Sequence, residues 1–343
     1  MAYMGKVRAS GKRGKRRREG VVLIVVLWVL IVLSFLVSTM VFEMQIEANI
    51  TSYYRKRFKA QYLARAGIEW TKMMLLESSL FTEDYEDEYP DLYRYTQILS
   101  RGNAVSGMTR ELGPGRFEVD LVPEHGKRNV NALTQEEWYE ILDQGAVGEE
   151  LWDELINAYL DWTDKDDLHR EPGGAESDDE FYEERGYDVK NAPLDTVDEL
   201  VLIKGFTPAI VFGGPAEDPE EPVHPGIASW LTTWGSGNKV NVNAASPEVL
   251  LSMPDMDEFT IDLILEGRNG VDGEPGTVDD GFSSVQEVLD LTGLGSEFAN
   301  RASVNERDYL RVVSAGVVGD VRAEIQAVFQ LQGNVFVPVF WRE

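Results

Sequence analysis

A short basic segment followed by a long apolar run is the feature that most constrains this chain. Eight Lys and Arg residues and one Glu lie within the first twenty residues, which end at Gly20. The apolar run extends from Val21 to Val41 and is interrupted only by Ser34, Ser38 and Thr39. At about 1.5 Å per residue, a helix of this length crosses the roughly 30 Å of hydrocarbon in a bilayer. Because basic residues favour the cytoplasmic side, the N-terminus is expected inside and the rest of the chain outside.

The helical pattern continues beyond the apolar run. Small and apolar residues follow at helical spacing, namely Ala60, Leu63, Ala64, Gly67, Ile68 and Met74. This stripe predicts a long helix whose second half is amphipathic and lies closely on a sheet, since small side chains allow close approach.

Three interpretations of the N-terminus compete. A cleaved secretory signal has a shorter apolar region, of about 7–15 residues, and a small-x-small cleavage site after it. A plain uncleaved anchor is the second possibility. The third is a prepilin-type leader, in which a peptidase cuts between Gly20 and Val21 on the cytoplasmic side of the membrane. The length of the run, and the absence of Pro or Gly between Val21 and Gly67, favour the third interpretation.

Composition narrows the chemistry of the extramembrane part. The net charge is −28, and the first twenty residues carry +7, so the remainder carries −35. Such an acidic domain repels phosphate backbones and attracts divalent cations. The chain has no Cys, which excludes disulfides and thiolate-ligated metals. None of the common catalytic motifs is present, so we expect no enzymatic activity.

Strand patterns occur only near the two ends of the post-membrane chain. Residues 116–122 alternate with period two after a Gly-Pro-Gly turn. Residues 309–318 and 321–329 flank the turn Gly319-Asp320, and residues 335–340 predict an edge strand because Pro338 lacks a donor. The stretch between these regions has almost no strand signal. The sequence therefore predicts an α+β fold, with a long N-terminal helix packed on a small antiparallel sheet that a large all-α insertion interrupts.

The insertion contains an internal duplication. The segment from Asn129 to Glu136 (NVNALTQE) recurs from Asn241 to Glu248 (NVNAASPE), and the segment beginning at Thr196 recurs at Ser284. Thr134 and Ser246 are predicted N-caps. The spacing resembles helix-hairpin-helix modules, but the hairpin after the second copy, residues 253–257, has no Gly and carries two Asp. We therefore expect the modules to be structural or protein-binding.

Aromatic residues divide into two groups. Trp138, Trp152, Tyr159 and Trp162 fall at helical spacings and are predicted to lie in the core of the insertion. Trp230 and Trp234 lie among Gly, Ser and Thr residues and are predicted to be exposed contacts.

The order of these features resembles that of one family. The string from Gly20 to Leu30 is similar to the start of the K subunit of the type II secretion pseudopilus, a minor pseudopilin. Most pilins have Glu five residues into the mature chain, where this chain has Val25, and the K subunit typically lacks that Glu. The resemblance implies a pseudopilin fold with this division: leader 1–20, transmembrane segment 21–42, helix and first strands 43–126, inserted α-domain 127–305 with modules 127–212 and 239–303, and final strands 306–343.

Each module also holds an acidic loop. The carboxylates of the first are Asp161, Asp164, Asp166, Asp167, Glu176, Asp178 and Asp179, and those of the second are Asp272, Glu274, Asp279 and Asp280. Clustered carboxylates on Gly-containing loops suit Ca²⁺, which takes six to eight oxygen ligands, although neither loop has EF-hand spacing. K pseudopilins have acidic loops at the first position, so the resemblance supports calcium there. Solvated acidic loops without a metal remain the alternative.

The resemblance also implies a function and partners. A K subunit sits at the tip of the pseudopilus and helps to start or cap the fibre that exports folded proteins across the outer membrane. Its expected partners are other minor and major pseudopilins, the inner-membrane assembly platform and the prepilin peptidase, and it is expected to bind no nucleic acid. The expected location is the bacterial inner membrane, single-pass, with the C-terminal domain in the periplasm. The alternative function is a membrane-anchored DNA-uptake receptor built on helix-hairpin-helix modules.

Overall fold

A helix of 62 residues, α1 (Lys15–Leu76), dominates the N-terminal part of the structure, which is a computed structural model. The structure describes residues 5, 15–76, 88–215, 223–235, 237–333 and 335–343. Most of the predicted leader and most of the acidic break at residues 83–91 lie outside the described residues. The chain divides into two units, Met1–Lys59 and Ala60–Glu343, and α1 contributes to both.

In the first unit, α1 carries the predicted membrane segment. Its most apolar 18-residue window has a mean hydropathy of 3.2, and none of that window is buried. Among the described residues, α1 is the one helix that is long and apolar enough to cross a membrane. Because apolar side chains are stable only away from water, this exposed surface requires lipid or a protein partner.

The second unit contains a five-stranded antiparallel sheet built from both ends of its chain. Its order is β1 (Val105–Leu112), β2 (Gly115–Pro123), β7 (Tyr309–Val318), β8 (Val321–Gln332) and β9 (Val335–Arg342). The predicted strands, the turn between β7 and β8 and the edge position of β9 are confirmed. Two further elements, helix α2 (Pro90–Ser100) and β1, were not expected. Alternation in β1 is broken by a bulge, where Gly107 has φ of +73°.

The last turns of α1 pack on this sheet through small residues. Ala60, Ala64 and Ile68 are fully buried. A Cβ added to Gly316 of β7 would lie 1.9 Å from the backbone oxygen of Ala60, and one added to Gly67 would lie 2.2 Å from Oγ of Ser314. The predicted stripe of small residues is thus confirmed as the face that lets helix and sheet approach closely.

Gly316→Ala should be strongly destabilising. The new methyl group would meet the backbone of α1, which cannot move aside as a side chain can, so we expect a loss of about 3 kcal/mol in the free energy of unfolding. Gly295→Ala is the matched control, because an added Cβ there meets no atom within 4 Å. Urea unfolding of both variants measures the difference. A Gly316→Ala protein as stable as wild type would show that the helix lies farther from β7.

The insertion between β2 and β7 is mainly helical. Its helices are α3 (Gln135–Gln144), α4 (Glu149–Thr163), α5 (Glu180–Arg185), α6 (Pro208–Phe212), α7 (Pro247–Leu251), α8 (Glu258–Gly267), α9 (Val285–Thr292) and α10 (Ser296–Arg301). Short 3-10 helices occupy Glu124–Gly126, Val130–Ala132, Val197–Leu202 and Ala228–Trp230. Two pairs of two-residue parallel strands complete it, β3 (Arg128–Asn129) with β4 (Leu231–Thr232) and β5 (Val240–Asn241) with β6 (Ala302–Ser303).

The insertion has its own apolar core. Trp138, Tyr159 and Trp162 are buried in it as predicted, and Trp152 packs against it. The prediction of an exposed Trp230 is wrong, because this side chain is 6% exposed and belongs to the same core. A Gly- and Ser-rich context therefore did not indicate exposure here, because Trp230 ends the 3-10 helix Ala228–Trp230, immediately before the buried strand β4.

Hydrogen bonds show how the duplicated motif folds in each copy. Thr134 accepts from the backbone N of Glu137 and caps α3, and Ser246 accepts from Val249 N and caps α7. Asn131 bonds both backbone groups of Leu194, at 2.9 and 3.0 Å. Asn243 makes the same pair of bonds to Phe282, at 3.0 and 2.9 Å. The duplication is therefore structural, and the second Asn of each motif anchors the chain that returns from the acidic loop.

Candidate functional site

The first acidic loop, residues 161–179, begins at the buried end of α4. Asp161 is completely buried and accepts hydrogen bonds from Arg170 through the backbone N, at 3.1 Å, and Nη1, at 2.6 Å. The same guanidinium contacts Asp164, the C-cap of α4. Arg170, which sequence analysis did not single out, therefore neutralises part of the negative charge in this loop.

Glu176 is the least satisfied carboxylate of the loop. It is 1% exposed, and neither of its carboxylate oxygens has a hydrogen-bond partner among the described residues. The pKa of Glu176 is raised from 4.5 to about 7, chiefly by burial. The negative charges of Asp161, Asp164 and Asp167 raise this pKa further. A buried carboxylate without a donor is costly, so its position indicates that a cation or a proton belongs beside it.

Three of the predicted ligands are brought together. Asp164, Asp166 and Glu176 each offer a carboxylate oxygen, and these oxygens lie within 4.8 Å of one another. Oxygen donors at this separation can share one hard cation whose ligand distances are about 2.3–2.6 Å. The orphaned oxygens of Glu176 make this donor set fit Ca²⁺, because the metal would supply the positive partner that the protein does not.

The other carboxylates of the first loop have different partners. Asp178 accepts a hydrogen bond from the His169 ring at 2.7 Å, which raises the pKa of His169. Asp179 caps α5 by accepting from Phe181 N and also pairs with Lys204 at 2.8 Å. Asp167 is exposed. These contacts separate Asp178 and Asp179 from the group that converges on Glu176.

In the second acidic loop, residues 269–280, three of the four predicted carboxylates accept hydrogen bonds from within the loop. Asp279 accepts from Val271 N at 2.7 Å, and Asp280 accepts from Gly276 N at 2.6 Å. Asp272 accepts from Glu274 N at 2.8 Å. Within the part of the chain that the structure describes, this loop contains no group of three carboxylates as close as that in the first loop. The case for a cation is therefore weaker here.

The two loops occupy the same place in the two modules. The first loop follows α4, and the chain then passes through α5 to Leu194, which is bonded to Asn131. The second loop follows α8 and leads to Phe282, which is bonded to Asn243. After them, α6 and α10 begin at positions 88 residues apart, the same offset as the preceding repeat pair. This third matching pair was missed because Pro208 and Ser296 share no sequence motif.

The predicted residues at the N-terminus belong to the first unit, Met1–Lys59. Val21 and Val25 are exposed on α1, with 59% and 55% of their surface accessible, and Gly20 lies in the same helix. Residues 253–257 do not resemble a phosphate-binding hairpin. Asp257 instead caps α8 by accepting a hydrogen bond from Thr260 N at 2.7 Å.

Comparisons with known proteins gave one match to a family model and a structural match. Residues 115–212 match the family model described as type II secretion system (T2SS), protein K. The fold is similar to a chain in the crystal structure of the GspK–GspI–GspJ complex from the enterotoxigenic Escherichia coli type 2 secretion system. The TM-score is 0.52 and the identity 13%, and the match covers 81% of this chain and 98% of that chain. No curated protein matches the chain.

Proposed function

Because this chain belongs to the protein K family of type II secretion systems, the minor pseudopilins, we propose that it forms the tip of the pseudopilus and helps to start or cap the fibre. The observation that carries this proposal is the division of α1. An apolar, exposed segment occupies its first half, and residues from Ala60 onwards pack tightly on the sheet. A DNA-uptake receptor is not favoured, because the family match points to secretion and the domain is strongly acidic.

The partners follow from the same proposal. The structurally similar GspK was solved as part of a complex with GspI and GspJ. We propose that this chain also assembles with other minor pseudopilins, then with major pseudopilins, on the inner-membrane assembly platform after the prepilin peptidase has removed the leader. It acts through assembly rather than catalysis. The basic leader places the N-terminus in the cytoplasm, so the unit Ala60–Glu343 lies in the periplasm.

Val25 supports the terminal position in the fibre. In a packed pilin, a Glu at this depth of the membrane would pair with the free N-terminus of a neighbouring subunit. An unpaired carboxylate in lipid is costly, so a subunit that has no such neighbour is more stable with an apolar residue there. The large insertion between β2 and β7 would also block a further subunit from stacking above.

We also propose that the first acidic loop binds Ca²⁺ through Asp164, Asp166 and Glu176, with Asp161 and Asp167 contributing negative charge nearby. When bound, the cation neutralises carboxylates that otherwise repel one another and ties the loop to the end of α4. Among the remaining predicted ligands, Asp178 and Asp179 in this loop and Asp272, Asp279 and Asp280 in the second have partners of their own. Glu274 is exposed, and its carboxylate makes no hydrogen bond with the described residues. A second calcium there would have to displace those hydrogen bonds.

The tip position predicts where the subunit is found along a fibre. An epitope can be inserted at the exposed turn Gly113-Pro114, where an added atom meets open space. Gold-labelled antibody should then mark one end of each sheared pseudopilus, because a capping subunit is present once per fibre. The same epitope in the major pseudopilin is the control and should mark the whole length. If the antibody against the Gly113-Pro114 insertion labelled fibres evenly along their length, this result would contradict the tip position.

A further inference from the structure

A second candidate site is a cavity of about 490 Å³. It is lined by residues of the segments 125–129, 232–235 and 237–239, by the end of α10 and by the segment before β7. Its volume falls within the usual range for pockets that bind small ligands. The lining includes Lys127, Arg301 and His125 as well as Trp234, in a domain whose overall charge is strongly negative.

Lys127 is the main reason to consider a ligand. Its side chain is half-buried, and its ammonium group makes no hydrogen bond or ion pair with any residue that the structure describes. Burial is the largest cause that lowers the pKa of Lys127. Glu124, whose negative charge acts on Lys127, is already engaged by Arg311 and by Thr232, whose hydroxyl lies 2.7 Å away. Lys127 therefore lines the cavity without a hydrogen-bonded counter-ion among the described residues.

His125 and Arg301 also line this cavity. Nδ1 of His125 is buried and has no hydrogen-bond partner among the described residues. Arg301 uses Nη1 to contact Glu137, but Glu137 is shared with Arg128, so this trio keeps a net positive charge. Buried polar groups in native proteins nearly always have partners, and unpaired ones that share a cavity indicate a missing water or ligand.

The rest of the lining limits the chemistry of that ligand. Glu306 and the exposed Asp308 also border the cavity and would repel a doubly charged group such as phosphate. Trp234 adds an apolar surface, which is held by Phe340, with ring centroids 5.8 Å apart, and by the guanidinium of Arg311. A singly charged anion next to an apolar group fits this wall better than a phosphate does.

We propose that this cavity binds a carboxylate at the end, or on a side chain, of a short peptide segment. The carboxylate would accept hydrogen bonds from Lys127 and Arg301, and the neighbouring apolar side chain would lie against Trp234. A charged hydrogen bond to a buried ammonium is strong, and Arg binds carboxylates through two parallel N–H groups. The site is independent of calcium and of the position of the subunit in a fibre.

Titration calorimetry with the full chain in detergent tests the proposal. The probes are N-acetyl-Ala-Leu with a free carboxyl terminus, its C-terminal amide, and N-acetyl-Asp-Leu amide, whose only carboxylate is on the side chain. Binding of either acid but not of N-acetyl-Ala-Leu amide supports the proposal, and the stronger of the two identifies the source of the carboxylate. Equal binding of the amide, or no binding by either acid, would overturn it.

Variants and one spectroscopic signal make the test specific to the cavity. Lys127→Met should weaken binding about tenfold or more, Lys127→Arg should retain most of it, and Glu306→Gln should strengthen it. Lys165→Met removes an exposed charge elsewhere and should change nothing. The chain has three His, so imidazole NMR signals can be assigned with a His125→Gln variant. Peptide binding that shifts His169 or His224 but not His125 would place the site elsewhere and refute the proposal.

Discussion

Calcium should raise the thermal unfolding midpoint of the full chain by roughly 5 °C, and Glu176→Gln should remove most of that rise. A ligand at ten to a hundred times its dissociation constant stabilises a protein by about 1.4–2.7 kcal/mol, which corresponds to several degrees for a domain of this size. Extracellular calcium sites have dissociation constants of about 0.1–1 mM, so 10 mM CaCl₂ compared with EGTA covers this range. Glu176 carries the effect because its two oxygens have no other partner.

The same substitution should have the opposite effect without calcium. Glu176 lies among Asp161, Asp164 and Asp167, so replacing its carboxylate with a neutral amide removes repulsion and raises the unfolding midpoint in EGTA. Glu184→Gln is the matched control, because it makes the same chemical change on an exposed part of α5. The site would be excluded if calcium did not change the unfolding midpoint of the wild-type protein. It would also be excluded if calcium raised the midpoint of Glu176→Gln as much as that of wild type.

The pH dependence of the same measurement is fixed by the raised pKa of Glu176. The folded protein holds the proton up to about pH 7, whereas an unfolded Glu releases it near 4.5. At Glu176 the folded state therefore binds more protons between these values, so in EGTA the contribution of Glu176 to stability falls as pH rises from about 4.5 to about 7. Calcium requires the ionised carboxylate, so its stabilising effect grows over the same interval. The gap between the calcium and EGTA midpoints should be wider at pH 8 than at pH 5.

Local signals in the sequence were sufficient for most of the fold. Alternation in residues 116–122 and 321–329, together with the strand pattern of residues 309–318, identified three neighbouring strands of the sheet. Thr134 and Ser246 identified two helix starts. Elements with weak or broken patterns were missed. β1 is bulged at Gly107, whose backbone N donates to the side chain of Asp120 at 2.7 Å, so its pairing depends on a contact that no local pattern contains.

The acidic loops show a similar limit. Sequence identified both loops and eleven candidate carboxylates in them, but it could not rank these candidates. The convergence of Asp164 with Glu176 depends on how the loop folds back on α4, and that path depends on Arg170 and on the anchoring of Leu194 by Asn131. The contact between Asn131 and Leu194 joins residues 63 positions apart in the chain. Such contacts determine which carboxylate has no partner and which one caps a helix. The density of charge in the sequence does not give this information.

Gly20→Leu should block removal of the leader completely. A peptidase that cuts at the membrane surface between Gly20 and Val21 must admit the residue before the bond into its active site, and a Leu side chain is far larger than the hydrogen of Gly. Intact mass and N-terminal sequencing of protein extracted from its native membrane measure the result. Wild type should begin at Val21, whereas Gly20→Leu should retain residues 1–20.

Val25→Glu is the control for this processing experiment, because it also alters the start of the apolar run but leaves the cleavage position intact. It should be processed like wild type and fold with little change, since the unit Ala60–Glu343 does not contain it. A Gly20→Leu protein that still begins at Val21 would contradict prepilin-type processing, and a wild-type chain that keeps its leader would leave an ordinary anchor. Cleavage beyond Val41 in wild type would release a soluble domain, which has no membrane segment with which to join a fibre.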